Sequence, residues 1–281
     1  MEILKCENLK KQVKNKVIVE NISFSMNKGD VVGFIGPNGA GKTTTIKLIL
    51  GLIKLTEGKV YIDGYDIKKN FIKAMEKVGA IVETPDLYMY LSGYDNLKLT
   101  ANNYKNITKK RITEVIKMVG LENRIKDKVS TYSLGMRQRL GIAEAIINNP
   151  ELLILDEPTN GLDIEGTIEI RNLIKKLSNE GIAILISSHN LTEIDNLCNR
   201  IIAIKNGKII TNDTIDNFKS LSNETTYILE LNHLDNLEEI ILKYKYEIIS
   251  KNKVRIYISK EEITKLMKNL INNKYQIYSV Q

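Results

Sequence analysis

Gly36-Pro37-Asn38-Gly39-Ala40-Gly41-Lys42-Thr43 fits the pattern G-x-x-x-x-G-K-[ST] and runs on into Thr44. Residues 30–35, just before it, are short and rich in β-branched side chains, which is the form of a strand. Residues 42–51, just after it, place Ile46, Leu48, Ile49 and Leu50 at helical spacing. A glycine-rich loop between a strand and a helix wraps closely round one anion. Its backbone N–H groups and the positive end of the helix dipole both point at the charge. In this pattern the lysine reaches the β- and γ-phosphates and the threonine hydroxyl holds Mg²⁺. The stretch therefore predicts an α/β fold built on a phosphate-binding loop, with residues 36–44 forming a nucleoside triphosphate site.

The next element outward is the apolar run Leu152-Leu153-Ile154-Leu155, which ends in Asp156-Glu157. An acid pair at the C-terminal end of a buried strand sits where α/β sheets bind ligands. Asp156 is placed to orient Mg²⁺, and Glu157 to polarise an attacking water. Residues 152–155 and 182–186 are unbroken apolar runs, as in parallel strands covered on both faces. A helix over 164–179 joins them into a β-α-β unit. Residues 3–9 and 17–26 read as further strands, and residues 92–149 as mainly helical.

A polar stretch at 220–225 marks a boundary, so the chain divides into domains 1–220 and 221–281. Beyond the boundary the pattern is strand 226–231, helix 236–244, strands 246–250 and 253–259, helix 260–272 and strand 275–280. That is β-α-β twice, the order of a small ferredoxin-like α+β domain.

Composition excludes several classes. The chain has 281 residues, 43% hydrophobic and 27% charged, enough to bury a core without disulfide or metal staples. Cys6 and Cys198 are too far apart for a CxxC site, which fits a reducing compartment. The N-terminus lacks the order of a signal peptide, and no stretch nears the ~18 unbroken apolar residues of a membrane helix. The net charge is +7, yet residues 221–281 hold 9 basic and 8 acidic side chains, so the excess lies in the larger part. No dense Lys/Arg cluster stands out, and no nucleic-acid partner is expected.

Taken in order, these motifs resemble the ATP-binding subunit of an ABC transporter over residues 3–218. Ser133-Leu134-Gly135-Met136 resembles the ABC signature, with Leu134 in place of the usual first Gly and Met136 in place of the usual Gln. The resemblance implies that Ser133 and Gly135 grip the γ-phosphate held by the opposite subunit. Asn160-Gly161-Leu162-Asp163 is similar to the D-loop, and Ser187-Ser188-His189 to the switch-histidine segment. By this likeness His189 joins Glu157 as a catalytic residue at the γ-phosphate.

Two positions depart from the family. The aromatic residue that usually stacks on adenine is replaced by Val13, and the Q-loop Gln by Glu83. A carboxylate at 83 is a legitimate hard-metal ligand, so Glu83 is expected to face Mg²⁺ in the catalytic site. Its negative charge must then be offset by the metal.

The resemblance also implies a RecA-like ATPase core with an N-terminal antiparallel β part, a helical insert at about 92–149, and ATP with Mg²⁺ as ligands. It implies a homodimer or heterodimer of ATP-binding subunits on the cytoplasmic face of the membrane, attached to a separately encoded permease. The groove near Glu83 and residues 88–94 is expected to receive a permease helix. Glu83, the Ser-Leu-Gly-Met motif and the appended domain together resemble the bacitracin and lantibiotic resistance branch, which expels antimicrobial peptides. Two other readings stay open: a soluble ABC ATPase acting on ribosomes or DNA, and a regulatory ATP-binding subunit without transport.

Overall fold

Strands with no polar alternation form the centre of the larger sheet, because both of its faces are covered. The computed structural model describes residues 1–191, 194, 197–222 and 224–280. The chain divides between Ile215 and Asp216 into two compact units. The polar stretch at 220–225 lies, in its side chains, outside the described residues.

The first unit begins with β1 (Glu2–Val13), β2 (Lys16–Asn27), β3 (Val31–Ile35) and α1 (Lys42–Ile49). It continues through β4 (Glu57–Ile62), β5 (Tyr65–Asp66), α2 (Phe71–Met75) and β6 (Val78–Ile81). Helices α3 (Gly93–Ala101), α4 (Lys109–Met118) and α5 (Leu134–Ile146) follow. The unit closes with β7 (Leu152–Asp156), α6 (Ile164–Asn179), β8 (Ala183–Ser188), β9 (Arg200–Lys205) and β10 (Lys208–Thr214).

Two sheets result. The larger runs β10-β9-β3-β8-β7-β6, parallel except for β10 on one edge. The smaller, β2-β1-β4-β5, is antiparallel. One buried cluster links them, with Leu4, Leu9 and Ile22 from the small sheet, Ile46 and Ile49 from α1, and Phe34, Ile154 and Leu185 from the large one. Because β3, β7 and β8 are parallel neighbours, their C-terminal ends open on the same edge. The phosphate loop, the acid pair and the His189 segment all leave from that edge. This is the feature of the fold that builds the site.

The helical part is held by side-chain caps. Ser92, Thr108 and Ser133 each accept a hydrogen bond from the third residue on, at the starts of α3, α4 and α5. Glu144 on α5 is largely buried, where Thr100 Oγ1 on α3 donates to its carboxylate at 3.0 Å. Burial pushes the Glu144 carboxyl up to about 7; the Thr100 hydrogen bond opposes the shift and nearby Asp86 adds to it. The folded state therefore holds a proton between about pH 4.5 and 7 that the unfolded chain releases. The stabilisation is full below the unfolded value and is lost as pH rises through 7. Glu144→Gln is expected to remove that slope and to raise stability at pH 8 by roughly 1–3 kcal/mol. Denaturant unfolding at pH 5 and pH 8 checks it; equal gains at both pH values would contradict the assignment.

The second unit contains α7 (Ile215–Ser222, which starts at the division), β11 (Glu224–Leu231), α8 (Leu237–Ile241), β12 (Lys245–Ser250), β13 (Lys253–Ser259), α9 (Lys260–Asn272) and β14 (Ile277–Val280). The sheet is antiparallel in the order β12-β13-β11-β14, the ferredoxin-like arrangement. Val254, Ile256 and Ile258 alternate inward from β13 and pack with Leu229, Leu266 and Leu270 in the unit's own core. Helix α8 is shorter than its sequence pattern suggests, ending at Ile241 with Leu242 exposed. The sequence reading does not include strands β4, β9 and β10, although residues 201–204 of β9 form an apolar run of the covered-strand type. On β10 this has a simple cause: as an edge strand it buries no residue fully, so its sequence needs no apolar alternation.

Candidate functional site

The phosphate loop leaves β3 and turns into α1 at Gly41, whose φ of 106° is strained for any residue with a Cβ. Gly41 caps α1 without a side-chain acceptor, so the first-turn N–H groups have no cap to satisfy them. Such a terminus suits an anion. Lys42 is buried, and its Nζ donates to the Gly36 carbonyl at 2.7 Å, across its own loop. The same Nζ lies 3.7 Å from Glu157 Oε1.

Thr43 Oγ1 donates to Asp156 Oδ2 at 2.9 Å. The other Asp156 oxygen accepts from the Ser187 hydroxyl, and Ser187 Oγ in turn accepts from the Glu157 backbone N–H at 3.0 Å. Asp156 is thus a buried carboxylate fixed from α1 on one side and β8 on the other. Glu157 has φ 50°, a left-handed conformation that breaks strand alternation. Consecutive acids Asp156 and Glu157 consequently line one cavity of about 560 Å³. Glu157 Oε2 lies 3.1 Å from His189 Nδ1.

Glu83 also lines that cavity and has φ 67°. Lys47 Nζ donates to its carboxylate at 2.8 Å, and this hydrogen bond, with the lysine charge, holds Glu83 below the usual carboxylate range. Leu134, Arg137 and Gln138 line it as well. Ser133, Gly135 and Met136 do not line it.

Ser133 caps α5, accepting from Met136 N–H at 3.2 Å, which leaves its hydroxyl proton free to be donated. A Cβ added at Gly135 would meet nothing nearer than 3.9 Å. Packing within the chain therefore does not require glycine there. The 160–163 segment lies beside it: Leu162 Cδ2 is among the nearest atoms to that added Cβ, and Asp163 caps α6 by accepting from Gly166 N–H at 2.8 Å. Val13 is 46% exposed at the end of the β1–β2 hairpin, opposite Lys16.

Hard oxygen donors converge at Thr43 and Asp156, the donor set Mg²⁺ prefers when substrate phosphates complete its shell. Among the described residues there is no group of three His, Cys, Asp or Glu side chains able to hold a metal alone. No helix of the described residues is long and apolar enough to cross a membrane. The sequence reading gave no place to Lys47, and took in Arg137 and Gln138 only as part of the signature stretch. Lys47 had an available signal, since it follows Thr43 by four residues and shares its helix face.

Residues 19–160 match the family model described as ABC transporter. The chain is 38% identical to a bacitracin transport ATP-binding protein of Bacillus licheniformis, over 99% of this chain and 92% of that one. It is 42% identical to a lantibiotic transport ATP-binding protein of Streptococcus pyogenes, over 78% of this chain and 94% of that one. A dimeric ATP-binding cassette in a post-hydrolysis state with ADP and phosphate superposes with TM-score 0.67 at 29% identity, covering 76% of this chain and 99% of that one.

Proposed function

The chain belongs to the ABC transporter family as an ATP-binding, ATP-hydrolysing subunit, and we propose that it drives a separately encoded permease that expels antimicrobial peptides such as bacitracin or lantibiotics. The observation that carries the ATPase reading is the convergence of Thr43, Asp156, Ser187, Glu157 and His189 at one edge of three adjacent parallel strands. The peptide reading rests on likeness to transporters of that name.

Lys42 exchanges the Gly36 carbonyl for phosphate oxygens, bringing its charge to the β- and γ-phosphates. Thr43 and Asp156 hold Mg²⁺, with Glu83 facing it from the rim. Mg²⁺ bound there offsets phosphate charge during transfer. Glu157 accepts a proton from the water that attacks the γ-phosphorus, and His189 orients the Glu157 carboxylate. Ser133 and Gly135 meet the nucleotide of a second ATP-binding subunit, the Ser133 hydroxyl donating to its γ-phosphate. Gly135 at the positive end of α5 leaves room for the approach. Val13 offers the base an apolar contact in place of a stacking ring. The dimer works on the cytoplasmic face of the membrane, where its closure moves the permease.

Resistance measured in cells tests the reading. Cells carrying this chain with its permease are expected to grow at higher bacitracin or lantibiotic concentrations than cells carrying Lys42→Ala with the same permease. Equal susceptibility to both peptides would reject the substrate class. Loss of ATP hydrolysis by the purified variant checks the site separately.

A further inference from the structure

Lys47, which holds Glu83 at the cavity, is left without a role by the proposed chemistry. Lys47 follows Thr43 by four residues on α1, so the two side chains lie on one helix face. Four residues of helix rise about 6 Å. The Thr43 hydroxyl, bonded to Asp156, marks one end of that face, and Lys47 Nζ, 2.8 Å from Glu83 Oε1, marks the other. Glu83 is thus held by Lys47 while it lines the same cavity as Thr43 and Asp156. Its backbone is held at φ 67°, a conformation that costs free energy in a residue with a Cβ. A lysine so placed competes with any cation that would draw Glu83 inward.

We propose that Lys47 is a positioning residue that latches Glu83 at the cavity rim, so that Glu83 must exchange the Lys47 ammonium for the divalent cation when Mg²⁺–nucleotide binds. The inference rests on the reading that Glu83 reaches the metal. Its consequence is a lowered metal affinity that depends on both residues. A glutamine at position 83 carries no charge for the lysine to hold, and the latch then has nothing to act on. Metal binding is in this way set by a residue that does not itself touch the metal.

The test measures Mn²⁺ affinity by electron paramagnetic resonance in the presence of a non-hydrolysable ATP analogue, on the full chain and four variants. Lys47→Met is expected to tighten Mn²⁺ binding roughly two- to fivefold, the scale of an exposed ion pair. Lys47→Arg, which keeps the ion pair, is expected to match the parent chain. Glu83→Gln is expected to weaken binding, and Lys47→Met added to Glu83→Gln to change nothing further. Equal tightening by Lys47→Met in both backgrounds, or no tightening in either, would overturn the latch. Glu83→Gln with unaltered Mn²⁺ affinity would instead reject the underlying metal role of Glu83. Matching thermal unfolding across the set separates these results from damage to the fold.

Discussion

Glu157→Gln is expected to lower steady ATP turnover by about 10²–10⁴-fold, the usual contribution of a positioned general base. Nucleotide affinity should stay nearly unchanged, because Lys42, Thr43 and the loop backbone supply the phosphate contacts. The amide keeps the shape of the carboxylate but cannot accept a proton from water. It also removes the negative charge 3.7 Å from Lys42 Nζ, so the lysine is freer to serve the phosphates. The variant should accumulate as an ATP-bound dimer, visible as an earlier elution on size exclusion with ATP and Mg²⁺ and absent without them. His189→Ala should lose less, since His189 touches the Glu157 carboxylate and leaves the proton acceptor in place. Ordinary turnover in Glu157→Gln would remove this residue from the chemistry and move the search to Glu83.

Gly135→Glu separates folding from function more sharply. A Cβ at Gly135 would meet its nearest atoms at 3.9 Å, an ordinary van der Waals contact, and the position lies in the first turn of α5. Replacing glycine in a helix gains up to about 1 kcal/mol of propensity, and an acid in the first turn gains roughly 0.3–1 kcal/mol more from the dipole. The isolated chain should then be as stable as the parent or slightly more so. Dimer closure should fail, because on the role proposed for the signature segment the new carboxylate would face the γ-phosphate of the opposite nucleotide. A like-charge contact of that kind costs several kcal/mol. ATP hydrolysis should fall to background, and the Glu157→Gln dimer should not form when Gly135→Glu is added to it. If dimers persist in the double variant, the signature segment does not meet a partner's nucleotide. If the single variant unfolds, the surroundings of Gly135 do not admit a side chain.

The phosphate loop, the acid pair and the order of motifs were legible because each depends on residues adjacent in sequence. Gly41 needs a left-handed turn, Lys42 and Thr43 follow it at once, and Asp156-Glu157 ends an apolar run that only a covered strand tolerates. The alternating apolar residues of 253–259 and the amphipathic stretch 260–272 were equally plain, and they fix two elements of the second unit. Edge strands were not legible. β10 leaves every other residue half-buried and the rest exposed, so it reads as a loop. The helix predicted over 236–244 stops at Ile241, where Leu242 meets solvent and no longer has a core to pack on.

Sequence alone determined which chemical groups this protein carries: a nucleotide loop, two catalytic candidates in tandem, a glutamate at position 83. Those are local patterns, fixed by backbone geometry and spacing. Tertiary structure decided which of them meet. Parallel pairing of β3, β8 and β7 brings residues 43, 156 and 187, far apart in the chain, into one hydrogen-bonded set. The fold sets Lys47 of α1 on Glu83, a contact between residues 36 apart that no spacing rule foretells. Distances between side chains on different elements follow from strand order and helix packing, and those are properties of the folded core as a whole.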